Sequence, residues 1–375
     1  MLRDRPPALP WFFAILAVIV GWQALYCTVA TQGKPSGLFF IGERMHWPVE
    51  ITRDAFVYPN TQGYDGQLYR VIAHDPGMRG AGQTLYGPRY WYRRILIPAS
   101  AALFGANVDF WYVAITDLIL ALGGFCFVRL TAEGCRPIVA AVAYCAIPAV
   151  VASTDRMVVD GPMLALSIVA WWCYRERRFV PMLAALAAAV LARETALCVT
   201  AGIGLAYLLR RDTRRAFAVA ASAIPAVAWW IWIALRTAPT SMDRQLSIPL
   251  LPQIARLFQA NPRAGATPWV NGVLQSLDVV GVLCLLFAFG WVAATLVRDR
   301  KVSEETAIIL PMAFAALFFS SPVLLSEPYH FLRHASVLIA WVGLRLMRVR
   351  PVYGAAYLVV AGLPMLVYRG TLLLK

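Results

Sequence analysis

The chain has 375 residues, of which 60% are hydrophobic and 14% are charged, and its 34 Lys and Arg against 20 Asp and Glu give a net charge of +14. An ordinary soluble domain is about 25% charged, so this chain lacks the polar surface to cover the two or three soluble domains its length would suggest. Composition therefore excludes a cytosolic enzyme, a disordered tail protein and a disulfide-rich secreted scaffold, and points to helices that span a bilayer.

In chain order, the first apolar run, Leu9 to Val29, follows the basic residues Arg3 and Arg5. It is too long for a signal-peptide core and reads as a retained anchor with the N-terminus in the cytoplasm. A polar stretch over 31–94 then forms a large outer loop, in which 40–58 and 66–74 read as short helices lying along the membrane. The apolar piece at 95–105 is too short to cross about 30 Å of hydrocarbon and reads as a re-entrant or interfacial helix. Further spans are expected at 108–130, 137–153, 158–174, 179–192, 195–209, 216–236, 271–297, 306–325, 332–347 and 352–370, eleven in all, with the C-terminus outside.

The register of these spans is supported by five short inner loops, which carry Arg129/Arg136, Arg175/Arg177/Arg178, Arg210/Arg211/Arg214/Arg215, Arg298/Arg300/Lys301 and Arg345/Arg348/Arg350, as the positive-inside rule requires. The 179–209 stretch must hold two short or broken helices with Arg193 and Glu194 between them, which is tolerated where backbone lines a protein cavity. The expected fold is thus a single integral-membrane domain over 1–375, an all-α polytopic membrane protein. Its seven cysteines form no CxxC and no Cys/His cluster; they read as core packing, and nothing suggests a zinc site.

The unusual polar residues collect on the outer side. The first loop contains Gly63-Tyr64-Asp65-Gly66-Gln67-Leu68-Tyr69 and the arginines Arg93 and Arg94; later loops bring Asp155, Asp160, Arg193, Glu194, Glu327, His330, Arg333 and His334. Charged groups at the membrane boundary are costly and usually face a cavity or one another, so these clusters predict a polar cavity open to the outside. Asp65, between flexible glycines, can accept a proton from an attacking hydroxyl, with Tyr64, Gln67 and Tyr69 to orient a sugar; the competing reading is an Asx-turn. Arg193, Arg333, Arg93 and Arg94 suit a phosphate, whose oxygens a guanidinium bonds bidentately, with His330 as a further donor. For Arg93 and Arg94, lipid head groups at the interface are an equal alternative. Asp155 and Asp160 serve either as helix caps or as contacts to sugar hydroxyls, and Glu194, Glu327 and His334 are grouped with them as sugar or acceptor contacts.

The strings GYDGQLYRVIAHDP and RYWYRRILIP, with ARET and HFLRH further on, resemble a bacterial subgroup of GT-C class integral-membrane glycosyltransferases associated with cell-surface glycopolymers. The resemblance covers the whole chain in topology, and its specific motifs about 50 residues. It implies a sugar transfer from a polyprenyl-phosphate donor to a lipid-linked or cell-envelope glycan or glycolipid acceptor, with inversion, on the outer face of the bacterial inner membrane. It further implies Asp65 as the base and Arg193 and Arg333 as donor-phosphate ligands. The chain departs from the better-known members in lacking a paired acidic motif in the first loop, which leaves a divalent metal open while no cofactor is expected. It also lacks a large soluble C-terminal domain, which speaks against a protein acceptor. Membrane lipids are the other expected partner, and nothing suggests nucleic acid. The alternatives are a lipid-linked glycan polymerase or ligase, and a transporter or flippase of lipid-linked sugars; against transport, the inner halves of the spans look apolar apart from Asp117 and Asp278.

Overall fold

Apolar runs in hydrocarbon fold as helices because every backbone N–H and C=O must be satisfied within its own segment. A computed structural model of the chain describes residues 9–45, 47–239, 254–255, 257–258, 267–299, 302–318 and 328–373. It contains α1 (Leu9–Ala30), α2 (Asp65–His74), α3 (Leu96–Ala102), α4 (Val108–Thr131), α5 (Pro137–Cys145), α6 (Pro148–Arg156), α7 (Asp160–Arg175) and α8 (Phe179–Ala192). There follow α9 (Ala196–Leu209), α10 (Thr213–Ala221), α11 (Ile224–Ala234), α12 (Pro268–Asp299), α13 (Glu304–Leu317), α14 (Pro328–His334), α15 (Ser336–Val349) and α16 (Pro351–Leu373).

Helix covers much of the described part of each expected position, residues 319–325 of the 306–325 stretch lying outside the described residues, but length and apolarity qualify fewer of them as full crossings. Among the described residues, four segments are long and apolar enough: Leu9–Ala30, Gly105–Thr131, Thr213–Ala234 and Pro268–Asp299. The α5–α6 pair makes a fifth if it is one span; it bends by 59° at the break before Pro148, where the proline ring excludes the preceding residue from the helical region. The chain is an α-helical, multi-pass membrane protein.

The first loop differs from expectation at 40–58, which is not one helix. It holds two short turns, Glu43–Met45 and Val49–Thr52, and a two-residue parallel pairing of β1 (Ile41–Gly42) with β2 (Val57–Tyr58), preceded by a further turn at Pro35–Phe39. Phe40 and Asp54 at φ 51° and 60° are left-handed, and Pro48 removes a backbone donor; a continuous helix cannot pass through them. The expected helix at 66–74 is present as α2, and residues 96–102 of the 95–105 piece form α3.

Packing sets the site. α4 lies between α1 and α7, α7 packs on α8, α9 on α13 and α15 on α16, while α2 rests on α3 and α4, and α14 on α6, α12 and α16. One end of the bundle therefore gathers the starts of α2 and α7, the α8–α9 loop and α14. At the far end Glu305 pairs with Arg345, Arg348 (2.9 Å) and Arg175 (3.5 Å), while Glu304 accepts from Arg210 and from the Tyr174 hydroxyl at 2.9 Å. The two charged ends are joined by α7, whose 16 residues span ~24 Å.

Candidate functional site

Asp65 and Asp160 are the opening residues of α2 and α7, where unpaired backbone N–H groups and the helix dipole favour a carboxylate. Local backbone sets Asp65 in place. Gly63 turns the chain at φ 77°, a left-handed value, and Tyr64 is extended before the helix begins. Gly66 serves a different purpose: a Cβ there would overlap the Arg156 carbonyl oxygen and come within 2.9 Å of the Phe39 carbonyl. Its missing side chain is what lets α2 dock on the end of α6.

Two arginines reach these carboxylates from distant parts of the chain. Arg193 ends α8 in an extended conformation and donates from Nη1 to Asp160 Oδ1. Arg333, on α14, donates from Nη2 to Asp65 Oδ2, and its Nη1 lies 3.7 Å from Asp160 Oδ2. Its guanidinium carbon sits 5.0 Å from the centre of the Tyr64 ring. The cluster is layered. The side chains of Asp160, Arg193 and Arg333 are 0, 1 and 3% exposed, while Asp65 keeps 19%. Among the described residues, Arg333 Nε and Nη1, Arg193 Nε and Asp160 Oδ2 find no hydrogen-bond partner. Leaving such buried groups unsatisfied costs about 1–3 kcal/mol each, more when charged.

A second pair adjoins the first. Arg94 donates from Nε and Nη2 to both Glu194 oxygens at 3.0 and 2.6 Å, and from Nη1 to the Tyr69 hydroxyl at 2.8 Å; its guanidinium also lies 4.3 Å from the Tyr90 ring centre. Burial pushes the Glu194 carboxyl up, but Arg94, helped by Arg193, outweighs it and holds the group at about 2. Burial raises the Tyr69 phenol far above its ordinary value, against the pull of Arg94 and Arg193, so Tyr69 stays protonated and keeps its own O–H to donate.

The remaining predicted residues are placed elsewhere. Asp155, on α6, accepts from Trp22 Nε1 at 2.9 Å and pairs with Arg369 at 2.7 Å. Gln67 uses its amide within the first loop, accepting from Gly42 N (3.0 Å) and Trp47 Nε1 (2.9 Å) and donating to the Gln62 carbonyl (2.8 Å). Arg93 is half-buried beside Arg94, its carbonyl accepting from Trp230 Nε1. His334 is buried next to Arg333. The His330 side chain and Glu327 lie outside the described residues, as does His46. No three His, Cys, Asp or Glu side chains among the described residues gather as a metal-binding set.

Sequence reasoning missed two supports. Arg369, stacked 3.5 Å from the Trp22 ring centre, carried a usable signal, since a lone cation near the end of an apolar helix seeks a partner. Arg70 pairs with Asp109 at 2.9 Å, and His74 Nε2 lies 3.1 Å from the same carboxylate; this ties α2 to the start of α4, and only the fold reveals it. No family model matches the chain, and neither the characterised proteins nor the solved structures compared with it contain a match.

Proposed function

We propose that the chain is a membrane glycosyltransferase that moves a sugar from a polyprenyl-phosphate donor to a lipid-linked or cell-envelope glycan acceptor at the outer face of the bacterial inner membrane. The carrying observation is the convergence of Asp65, Asp160, Arg193 and Arg333, four charged groups from four separate elements, with buried guanidinium N–H groups still available. In this reading eleven spans place the N-terminus in the cytoplasm and this end of the bundle outside.

The ion pairing adds a step to the simple picture of a waiting base. Asp65 is held by Arg333, so a proton can reach it only after Arg333 turns to another anion. The donor's phosphodiester supplies that anion. It takes the Arg333 and Arg193 donors and releases Asp65, which faces the partly exposed side of the cluster. Asp65 then accepts the proton of the acceptor hydroxyl, the oxygen attacks the anomeric carbon from the face opposite the phosphate, and the C–O bond to phosphate breaks with its electron pair leaving on the phosphate. Charge stays balanced throughout. Two carboxylates and two guanidiniums are neutral together; protonating Asp65 leaves the cluster one positive charge in excess in the same step in which the departing phosphate gains one negative charge. Fixed cations that match charge as it develops are the most effective electrostatic catalysts. Arg94 and Glu194 brace the wall beside the cluster.

The test is sugar transfer by the purified, reconstituted chain. Asp65→Asn keeps the size and one acceptor oxygen and should lower the transfer rate by about 100- to 10,000-fold, the usual contribution of a positioned base, while donor binding persists. Unchanged transfer removes Asp65 from the mechanism. If Asp65→Asn and Arg333→Gln instead unfold the protein equally and leave residual specific activity intact, the cluster is a structural ion-pair network and the proposal fails.

A further inference from the structure

At the end of the bundle opposite the candidate site, α12, α15 and α16 enclose a groove of about 850 Å³. Its walls are single helix faces. Val280, Cys284, Phe287 and Trp291 lie along α12, and Tyr353, Ala356, Tyr357 and Val360 along α16, at the three- and four-residue spacing that places side chains on one side of a helix. The aromatic rings are packed together: Phe287 is 5.2 Å from Tyr357 between ring centres, and the Tyr357 hydroxyl donates to the Cys284 carbonyl at 3.1 Å. The groove is apolar along its length and ends between two arginines, Arg298 and Arg350. Neighbouring Arg345 and Arg348 are taken up by Glu305. Among the described residues Arg298 pairs with the carboxylate of its chain neighbour Asp299, and it is 71% exposed; Arg350 is exposed and lies over the Tyr353 ring at 5.8 Å.

We infer that this groove is a binding site for an anionic phosphoglycerolipid, with an acyl chain between α12 and α16 and the phosphate held by Arg298 and Arg350. Basic pockets between transmembrane helices select anionic head groups, and guanidiniums grip phosphate oxygens in pairs. Trp291 and Tyr353 also line the groove, and rings with one polar edge suit the boundary between hydrocarbon and head groups that this occupant would create. Charge also decides against a second copy of the chain as the occupant. A two-fold contact sets a patch against its own image, and here it would bring both arginines toward their counterparts, a like-charge juxtaposition. The inference is independent of sugar transfer.

The test uses the full chain purified in detergent and titrated with phosphatidylglycerol or phosphatidylcholine of identical acyl chains, with retained lipid read by native mass spectrometry. Each arginine near a membrane surface strengthens anionic binding about fivefold. The Arg298→Gln/Arg350→Gln double variant should therefore bind phosphatidylglycerol about 30-fold more weakly and phosphatidylcholine, whose choline cation offsets its phosphate, only a few-fold more weakly. Ala356→Trp, which fills the groove and keeps both arginines, should weaken both lipids and guards against a misfolded double variant. Equal affinity for the two lipids in the parent chain, or phosphatidylglycerol binding that neither variant alters, overturns the assignment. So does a disulfide-linked dimer formed by Tyr353→Cys in place of lipid retention, which would give the groove to a second copy.

Discussion

At the scale of single residues, Gly66 and Glu194 make the firmest demands. Gly66→Ala sets a methyl group against the Arg156 carbonyl, and because backbone cannot step aside as a flexible side chain can, the first loop must lift off α6. Overpacking of this kind costs about 1–3 kcal/mol, which should appear as a lower thermal unfolding midpoint followed by tryptophan fluorescence; an unchanged midpoint would mean that α2 does not sit so close. For Glu194 the sign of the pH effect follows from its depressed carboxyl. A group whose ordinary value is 4.5 and whose folded value is about 2 stabilises the fold fully above about pH 4.5 and ceases to do so as pH falls toward about 2. Thermal stability of the parent chain should fall across that window more steeply than that of Glu194→Gln, which has no proton to gain.

At the scale of elements, the Arg94–Glu194 pair joins the end of the first loop to the turn between α8 and α9, 100 positions apart in sequence. Arg94 is buried and Glu194 half-buried, so removing the carboxylate strands a buried guanidinium, at up to about 3–5 kcal/mol. Arg94→Met and Glu194→Gln should therefore each be strongly destabilising, and the double variant should lose much less than their sum; additive losses in denaturant titrations would show that the two groups do not interact. The elements themselves were largely legible in the sequence. Apolar runs and the arginines between them marked where helices lie, since burial of backbone in lipid leaves few other solutions. The 40–58 segment departs from the expected helix, and Pro48 and Gly42 are the residues in its sequence that argue against a continuous one. The partners of the site were not legible. Arg333 meets Asp65 across 268 positions, and no periodicity encodes which of several outer arginines will find which carboxylate. Gln67 shows the converse: two residues after Asp65 in a suggestive string, it spends its amide on the loop's own backbone and on Trp47, a use that residue type alone does not announce.

At the scale of the whole molecule, the orientation of the bundle is open to direct labelling. Arg79 in the first loop and Arg211 in the turn before α10 are both exposed. In a background without the seven native cysteines, Arg79→Cys should react with a membrane-impermeant thiol reagent in intact cells. Arg211→Cys should react only after the membrane is opened. The reverse pattern would invert the chain and move the Asp65 cluster to the cytoplasmic face, where lipid-linked donors of the proposed kind would have to be presented from inside.

The shortness of α8 and α9, 14 residues each, bears on how the surrounding bilayer must behave. In the proposed eleven-span arrangement such a helix, ~21 Å long, falls about 9 Å short of an average hydrocarbon slab, so the membrane must dip to meet the turn that carries Arg193 and Glu194. Lipids with short chains match this waist and long-chain lipids do not, at a cost of fractions of a kcal/mol per Å. For the proposed lipid-linked donor, a pinched leaflet would lower the head group toward the buried arginines instead of requiring it to leave the membrane, and if the proposed transfer occurs its rate in bilayers of graded thickness should fall as the acyl chains lengthen.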